Sequence, residues 1–290
     1  VEAVALAINN GCDVNCGNLF AYAEQAVEEG LLSEEKIDQA LIRLFTTRYK
    51  LGIMEDSEKT VFDEIPYLAV DDRQMQERNR KTALKSMVLL KNDGLLPLKK
   101  ENLHTVGVIG PNANNRRALV GNYEGTSSRY ITVLEGIQDY LGDDVRVLYS
   151  EGCHLYRAKT DNLAQDNNLA AEVQGVCEES DVIICCLGLD AGLEGEEGDA
   201  GNAYASGDKK TLELPGYQNE VLRMAVESGK PVILVLLAGS AMAIGYAKEH
   251  ASAILYGGYP GAQGGVAIVQ TLFGDHSPEG KLPITFYHTT

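Results

Sequence analysis

Short apolar runs alternate with amphipathic segments from about residue 85 to the end of the sequence. The runs predict strands at 88–91, 105–109, 145–149, 182–187, 232–237 and 253–256. The segments between them predict helices at 132–141, 163–178, 217–228 and 262–273. This alternation is typical of an α/β fold, so we predict a mostly parallel six-stranded sheet with helices on both faces.

The first part of the sequence has a different organisation. Residues 1–52 show apolar positions at helical spacing, and residues 53–84 predict a linker and a connecting helix before the α/β domain at 85–290. Residues 11–17 predict a short strand or turn between helices. Three helices around such a segment would make a poor domain alone, so we expect the chain to be a segment of a longer protein.

Composition and charge narrow the classes of partner. The chain has 290 residues, of which 44% are apolar and 23% charged, as is ordinary for a globular protein. Its formal net charge of −17 argues against nucleic acid and anionic membrane surfaces as partners. No apolar run approaches the roughly 18 residues that a membrane span needs.

Cysteines and histidines bear on the compartment and on cofactors. Cys177, Cys185 and Cys186 fall in apolar patterns, which predicts buried free thiols and a reducing, cytoplasmic location. No metal or cofactor is predicted. The five histidines lack ligand spacing, and Pro111 and Asn112 interrupt the glycine pattern of a dinucleotide-binding turn.

The acidic segment, residues 188–208, follows the apolar run at 182–187 and contains six glycines and six carboxylates. The strand before it would deliver it to the carboxyl edge of the sheet, where α/β proteins bind ligands. Crowded carboxylates raise one another's pKa, so one can stay protonated and act as an acid. A solvated loop or a loose calcium site is the alternative.

A second polar cluster lies between a predicted strand and a predicted helix. It contains Asn122, Tyr123 and Arg129, which are candidates to hydrogen-bond sugar hydroxyls or stack on a pyranose ring. By itself, such a cluster is more typical of ordinary loop packing.

Several segments then resemble one family. Residues 89–98 read LLKNDGLLPL and resemble the start of the second domain of glycoside hydrolase family 3. Agreement in order and spacing continues at VIGP (108–111), LELPGYQ (212–218), YPGAQGG (259–265) and LFGD (272–275). The resemblance covers essentially the whole chain.

This resemblance implies a (β/α)8-type barrel ahead of the α/β domain, with residues 1–52 as its C-terminal remnant. The family's nucleophile is an aspartate in a Ser-Asp-Trp context, and this sequence contains no tryptophan. The nucleophile is therefore expected outside this chain, and the isolated chain is expected to be inactive. The family's general acid/base precedes the Leu-Pro-Gly stretch, which implies Glu196, then Glu194 and Glu197.

The implied reaction is retaining, exo-acting hydrolysis that removes terminal β-linked xylose or glucose from an oligosaccharide or glycoside. Residues 13–17 and 121–125 resemble β-xylosidases more than β-glucosidases. The expected protein partner is the missing barrel domain or a second copy of the chain. The alternative function is a non-catalytic carbohydrate-binding or interaction module.

Overall fold

The computed structural model describes residues 1–54, 62–157, 169–194, 209 and 211–290. The chain forms two compact units, Val1–Val70 and Asp71–Thr290. No helix in the described part of the chain is long and apolar enough to cross a membrane.

The first unit is helical. Its helices are α1 (Glu2–Asn9), α2 (Ala23–Glu28) and α3 (Glu34–Lys50), with a 3-10 turn at Leu19–Tyr22. Ser33 caps α3, because its hydroxyl accepts a hydrogen bond from the Lys36 amide at 3.4 Å. The segment predicted as a strand or turn, residues 11–17, forms turns and no strand. Asp13 in it pairs with Arg43 of α3 at 2.6 Å.

The second unit contains the predicted sheet. Its strands are β1 (Val88–Asn92), β2 (Thr105–Ile109), β3 (Arg146–Ser150), β4 (Val182–Gly188), β5 (Val232–Leu237) and β6 (Ala253–Tyr256). Its helices are α4 (Arg73–Ser86), α5 (Val133–Leu141), α6 (Ala170–Glu178), α7 (Gln218–Glu227), α8 (Gly245–His250) and α9 (Gly264–Leu272). The strand order is β1-β6-β5-β4-β2-β3. Only β1 is antiparallel to its neighbour among these pairs, so the predicted mostly parallel six-stranded α/β fold is confirmed.

Both faces of this sheet are covered. Helices α4, α5 and α9 pack on one face and α6 and α7 on the other. Every residue of β4 and β5 is buried, which explains why these strands read as continuous apolar runs. Cys186 and Cys185 face opposite sides and are free, and Cys177 is also a buried free thiol, as predicted.

Candidate functional site

The loops that follow four parallel strands meet at one edge of the sheet. Asn122 comes after β2, Glu194 after β4, Gly239 and Ser240 after β5, and Tyr259 after β6. Since β2, β4, β5 and β6 run in the same direction, their carboxyl ends lie at the same edge. The fold thus brings together residues that are far apart in the sequence.

Glu194 is the centre of this group. Its Oε2 accepts a hydrogen bond from the Gly239 amide at 2.7 Å, and the hydroxyls of Ser240 and Tyr259 also donate to its carboxylate. The Asn122 amide nitrogen donates to the Glu194 backbone carbonyl at 3.2 Å. Both carboxylate oxygens are therefore engaged by protein donors, and the backbone is held as well.

Two neighbours of Glu194, Tyr259 and Lys209, have shifted pKa values. Burial, followed by the Glu194 charge, raises the pKa of Tyr259 well above its ordinary value, so its hydroxyl stays protonated and donates. Burial lowers the pKa of Lys209, and the Glu194 charge opposes that shift. The Lys209 ammonium donates to the Ala241 carbonyl at 2.7 Å.

Gln218 forms hydrogen bonds that hold the end of β4 in place. Its side-chain oxygen accepts from the Gly188 amide at 2.7 Å. Its amide nitrogen donates to the carbonyls of Gly188 and Leu155 at 2.8 and 2.7 Å. Gln218 is fully buried, so this bracing fixes where the chain leaves the sheet toward Glu194.

A cavity of about 390 Å³ adjoins the same edge, and Asn122, Tyr130 and Tyr259 line part of it. Asp71 also lines the cavity, and its carboxylate accepts hydrogen bonds from the Ser127 hydroxyl at 3.0 Å and from the Ser128 amide. Hydrogen bonds from Ser128 lower the pKa of Asp71. These bonds hold the loop after β2 against the start of α4.

Residues 87–290 match the Glycosyl hydrolase family 3 C-terminal domain. The chain belongs to glycoside hydrolase family 3. This finding confirms the resemblance, and the six-stranded sheet is the fold of this family's solved structures.

Two of the similar proteins are named as β-xylosidases. Beta-D-xylosidase 3 of Arabidopsis thaliana is 35% identical over 99% of the chain and 35% of its own length. Beta-xylosidase/alpha-L-arabinofuranosidase 2 of Medicago sativa subsp. varia is 34% identical, with the same coverage. The chain thus spans about 35% of the length of these relatives.

Two solved structures superpose on most of the chain. A GH3 exo-beta-xylosidase in complex with a xylobiose aziridine probe has a TM-score of 0.81 and 29% identity, covering 97% of this chain and 34% of that one. A β-glucosidase from Erythrobacter marinus has a TM-score of 0.80 and 30% identity, covering 99% and 40%.

The structure does not bring all the residues predicted for the family 3 site together. Glu194 and Asn122 meet at the sheet edge, as described above. Tyr123 is exposed and has a left-handed backbone, with φ of 62°. Arg129 pairs instead with Glu135 and Asp139 of α5, at 2.8 and 3.3 Å.

The other two predicted catalytic residues, Glu196 and Glu197, lie outside the described residues. Among the described residues, no three His, Cys, Asp or Glu side chains group closely enough to hold a metal ion.

The sequence did not identify Ser240, Tyr259 or Gln218 as site residues. Tyr259 and Gln218 fall within segments that resemble family 3, and this resemblance was the one sequence feature that pointed to them. Ser240 belongs to no such segment. Its role depends on the pairing of β4 with β5, which no local pattern records.

Proposed function

We propose that the protein containing this chain is a retaining exo-glycoside hydrolase that removes terminal β-linked xylose or glucose from oligosaccharides or glycosides. In this proposal the chain supplies the general acid/base, and the rest of the protein supplies the nucleophile. The observation that carries it is the sheet edge, where Glu194 of the acidic segment is anchored. The names of the relatives support the substrate class.

Glu196 is the proposed general acid/base, and Glu197 is the next candidate. A proton donor must direct an O–H at the leaving oxygen. The Glu194 carboxylate is engaged by three protein donors, which disfavours it in this role. Glu196 is two residues further along the same acidic segment, and it is the residue that the family resemblance implies.

The proposed reaction has two steps. In the first, the protonated acid gives its proton to the glycosidic oxygen as a carboxylate attacks the anomeric carbon and the bond to the leaving group breaks. In the second, the same group removes a proton from water, which displaces the enzyme carboxylate from the sugar. The two carboxyl groups of retaining enzymes lie about 5–5.5 Å apart, so the nucleophile must approach this sheet edge closely.

The test uses the full-length protein with aryl β-xyloside, β-glucoside, α-arabinofuranoside and N-acetylglucosaminide. We expect hydrolysis of the xyloside or glucoside with retention at the anomeric carbon. Glu196→Ala should keep part of its activity on aryl glycosides with good leaving groups, and azide should accelerate it and form a glycosyl azide. Glu227→Gln, at the exposed end of α7, is the matched control.

Two outcomes would count against this proposal. If the full-length protein binds xylo-oligosaccharides but cleaves none of the four glycosides, the chain is part of a carbohydrate-binding module. If Glu196→Ala and Glu197→Ala both keep wild-type kinetics, the general acid is elsewhere. We also expect chain 1–290 alone to be inactive, and turnover of the aryl xyloside by it would refute that expectation.

A further inference from the structure

Glu194 and Lys209, which flank residues 195–208 in the sequence, both contact one short stretch of the chain. This stretch, residues 239–242, follows β5, and we call it the anchor segment. On one side, Glu194 accepts from the Gly239 amide and the Ser240 hydroxyl. On the other, Lys209 donates to the Ala241 carbonyl at 2.7 Å and contacts the Met242 sulfur at 3.4 Å.

The contacts on the Glu194 side involve three different loops. Tyr259 reaches its carboxylate from the loop after β6, and Asn122 holds its backbone carbonyl from the loop after β2. Fixing the Glu194 side chain in one conformation costs rotamer entropy. Hydrogen bonds from several donors to its carboxylate offset that cost. The geometry of Glu194 thus suits an acceptor that fixes the chain to its neighbours, because protein donors reach both carboxylate oxygens.

We propose that Glu194 is a positioning residue. Its contacts with the anchor segment and with Tyr259 fix the acidic segment at this point, so that a following glutamate can deliver the proton. Lys209 has the same role on the other side. The inference rests on the proposed function, and it gives Glu194 a role that is distinct from that of the general acid. The role requires that Glu194 act through another residue and not on the substrate.

The experiment compares Glu194→Gln with Glu196→Ala in the full-length protein, with Glu227→Gln as control. Glutamine keeps the shape of Glu194 but loses its charge and one acceptor. We expect kcat/KM to fall by about 100-fold, the size of effect that a 1 Å misplacement of a catalytic group causes. The fall should lie in kcat more than in KM, because the substrate contacts are not removed.

Three readouts separate positioning from proton transfer. Azide should give no glycosyl azide in Glu194→Gln, because the acid/base carboxylate is still present to oppose the anion. The alkaline limb of the kcat/KM profile should persist for the same reason. Tyr259→Phe should also lower kcat, and its effect should not add to that of Glu194→Gln, since the two changes remove one shared hydrogen bond.

The anchor itself has a readout that does not depend on catalysis. The Gly239 amide should exchange its hydrogen faster in Glu194→Gln than in Glu227→Gln, with the global melting temperature as a check on folding. Azide rescue with glycosyl azide formation, or wild-type kcat in Glu194→Gln, would overturn the inference. So would unchanged exchange of the Gly239 amide. If the wild-type protein cleaves no glycoside, the proposed function fails, whereas the anchor is still judged by this exchange.

Discussion

At the residue scale, Gln218 is the side chain whose loss should cost the most stability near the site. We predict that Gln218→Leu lowers the free energy of unfolding by about 3 kcal/mol, because the Gly188 amide and the carbonyls of Gly188 and Leu155 lose their partners in a buried place. Urea unfolding of the two proteins measures the difference. Gln174→Leu, on the exposed side of α6, is the control and should change stability by less than about 0.5 kcal/mol.

The contacts of Glu194 require a residue without a side chain at position 239. A Cβ at this position would lie 2.7 Å from the Tyr259 ring and 3.0 Å from the Glu194 carboxylate. We therefore predict that Gly239→Ala displaces these groups and lowers kcat/KM of the full-length protein by about tenfold to 100-fold. The melting temperature should change little, because the position is exposed.

The control for this prediction is Gly175→Ala, which lies in α6 with open space around its Cβ position. Alanine there should leave catalysis unchanged and stabilise the helix by up to about 1 kcal/mol. Equal kcat/KM for Gly239→Ala and the wild type would contradict the prediction.

At the scale of elements, α5 and α9 approach each other through a pair of glycines. A Cβ on Gly265 would lie 2.0 Å from the Thr132 carbonyl oxygen, and one on Gly136 would lie 2.7 Å from the Gly265 carbonyl oxygen. We predict that Gly265→Ala costs about 3 kcal/mol or more of stability, since backbone must move. Gly136→Ala should cost less. Thermal unfolding monitored by circular dichroism tests both, and equal or higher stability of Gly265→Ala would show that the helices separate freely.

The same scale shows how much the sequence can predict. All six strands were predicted to within a residue or two. Strands β2, β4, β5 and β6 are buried throughout, and buried parallel strands are continuous apolar runs bounded by polar turns. Helix α8, Gly245–His250, was not predicted. It has six residues with one buried, too few for a helical period to show. The described part of the predicted helix at 163–178 begins at Ala170.

The site was harder to predict than the fold for a physical reason. The acidic segment was visible because its carboxylates and glycines are concentrated in one stretch. Ser240 and Tyr259 were not visible, because they reach Glu194 only through the order in which β4, β5 and β6 pair. Strand order depends on packing across the whole sheet, so contacts that depend on it leave no local signal.

At the scale of the whole molecule, the first unit is the least well covered part of the chain. Among its described residues, the buried cluster consists of five small or medium-sized side chains, Val4, Ala5, Ile8, Ala26 and Leu32. Ile42, Phe45 and Tyr49 recur at helical spacing along α3 and are 65%, 39% and 62% exposed. Exposed apolar helix faces of this kind are typical of surfaces that bind another protein surface.

We therefore predict that chain 1–290 associates with itself through α3 in a concentration-dependent manner. Its net charge of −17 opposes association at low salt, so raising the salt concentration should screen the repulsion and strengthen association. Sedimentation velocity at several concentrations measures this effect.

Ile42→Glu with Tyr49→Glu should give monomers under the same conditions, because the new charges would have to be buried in the contact. Ile284→Glu, a 52% exposed apolar position in the second unit, is the matched control and should associate like the wild type. A wild-type chain that stays monomeric at high concentration and high salt would mean that the exposed face of α3 is too small or too irregular to hold two chains together.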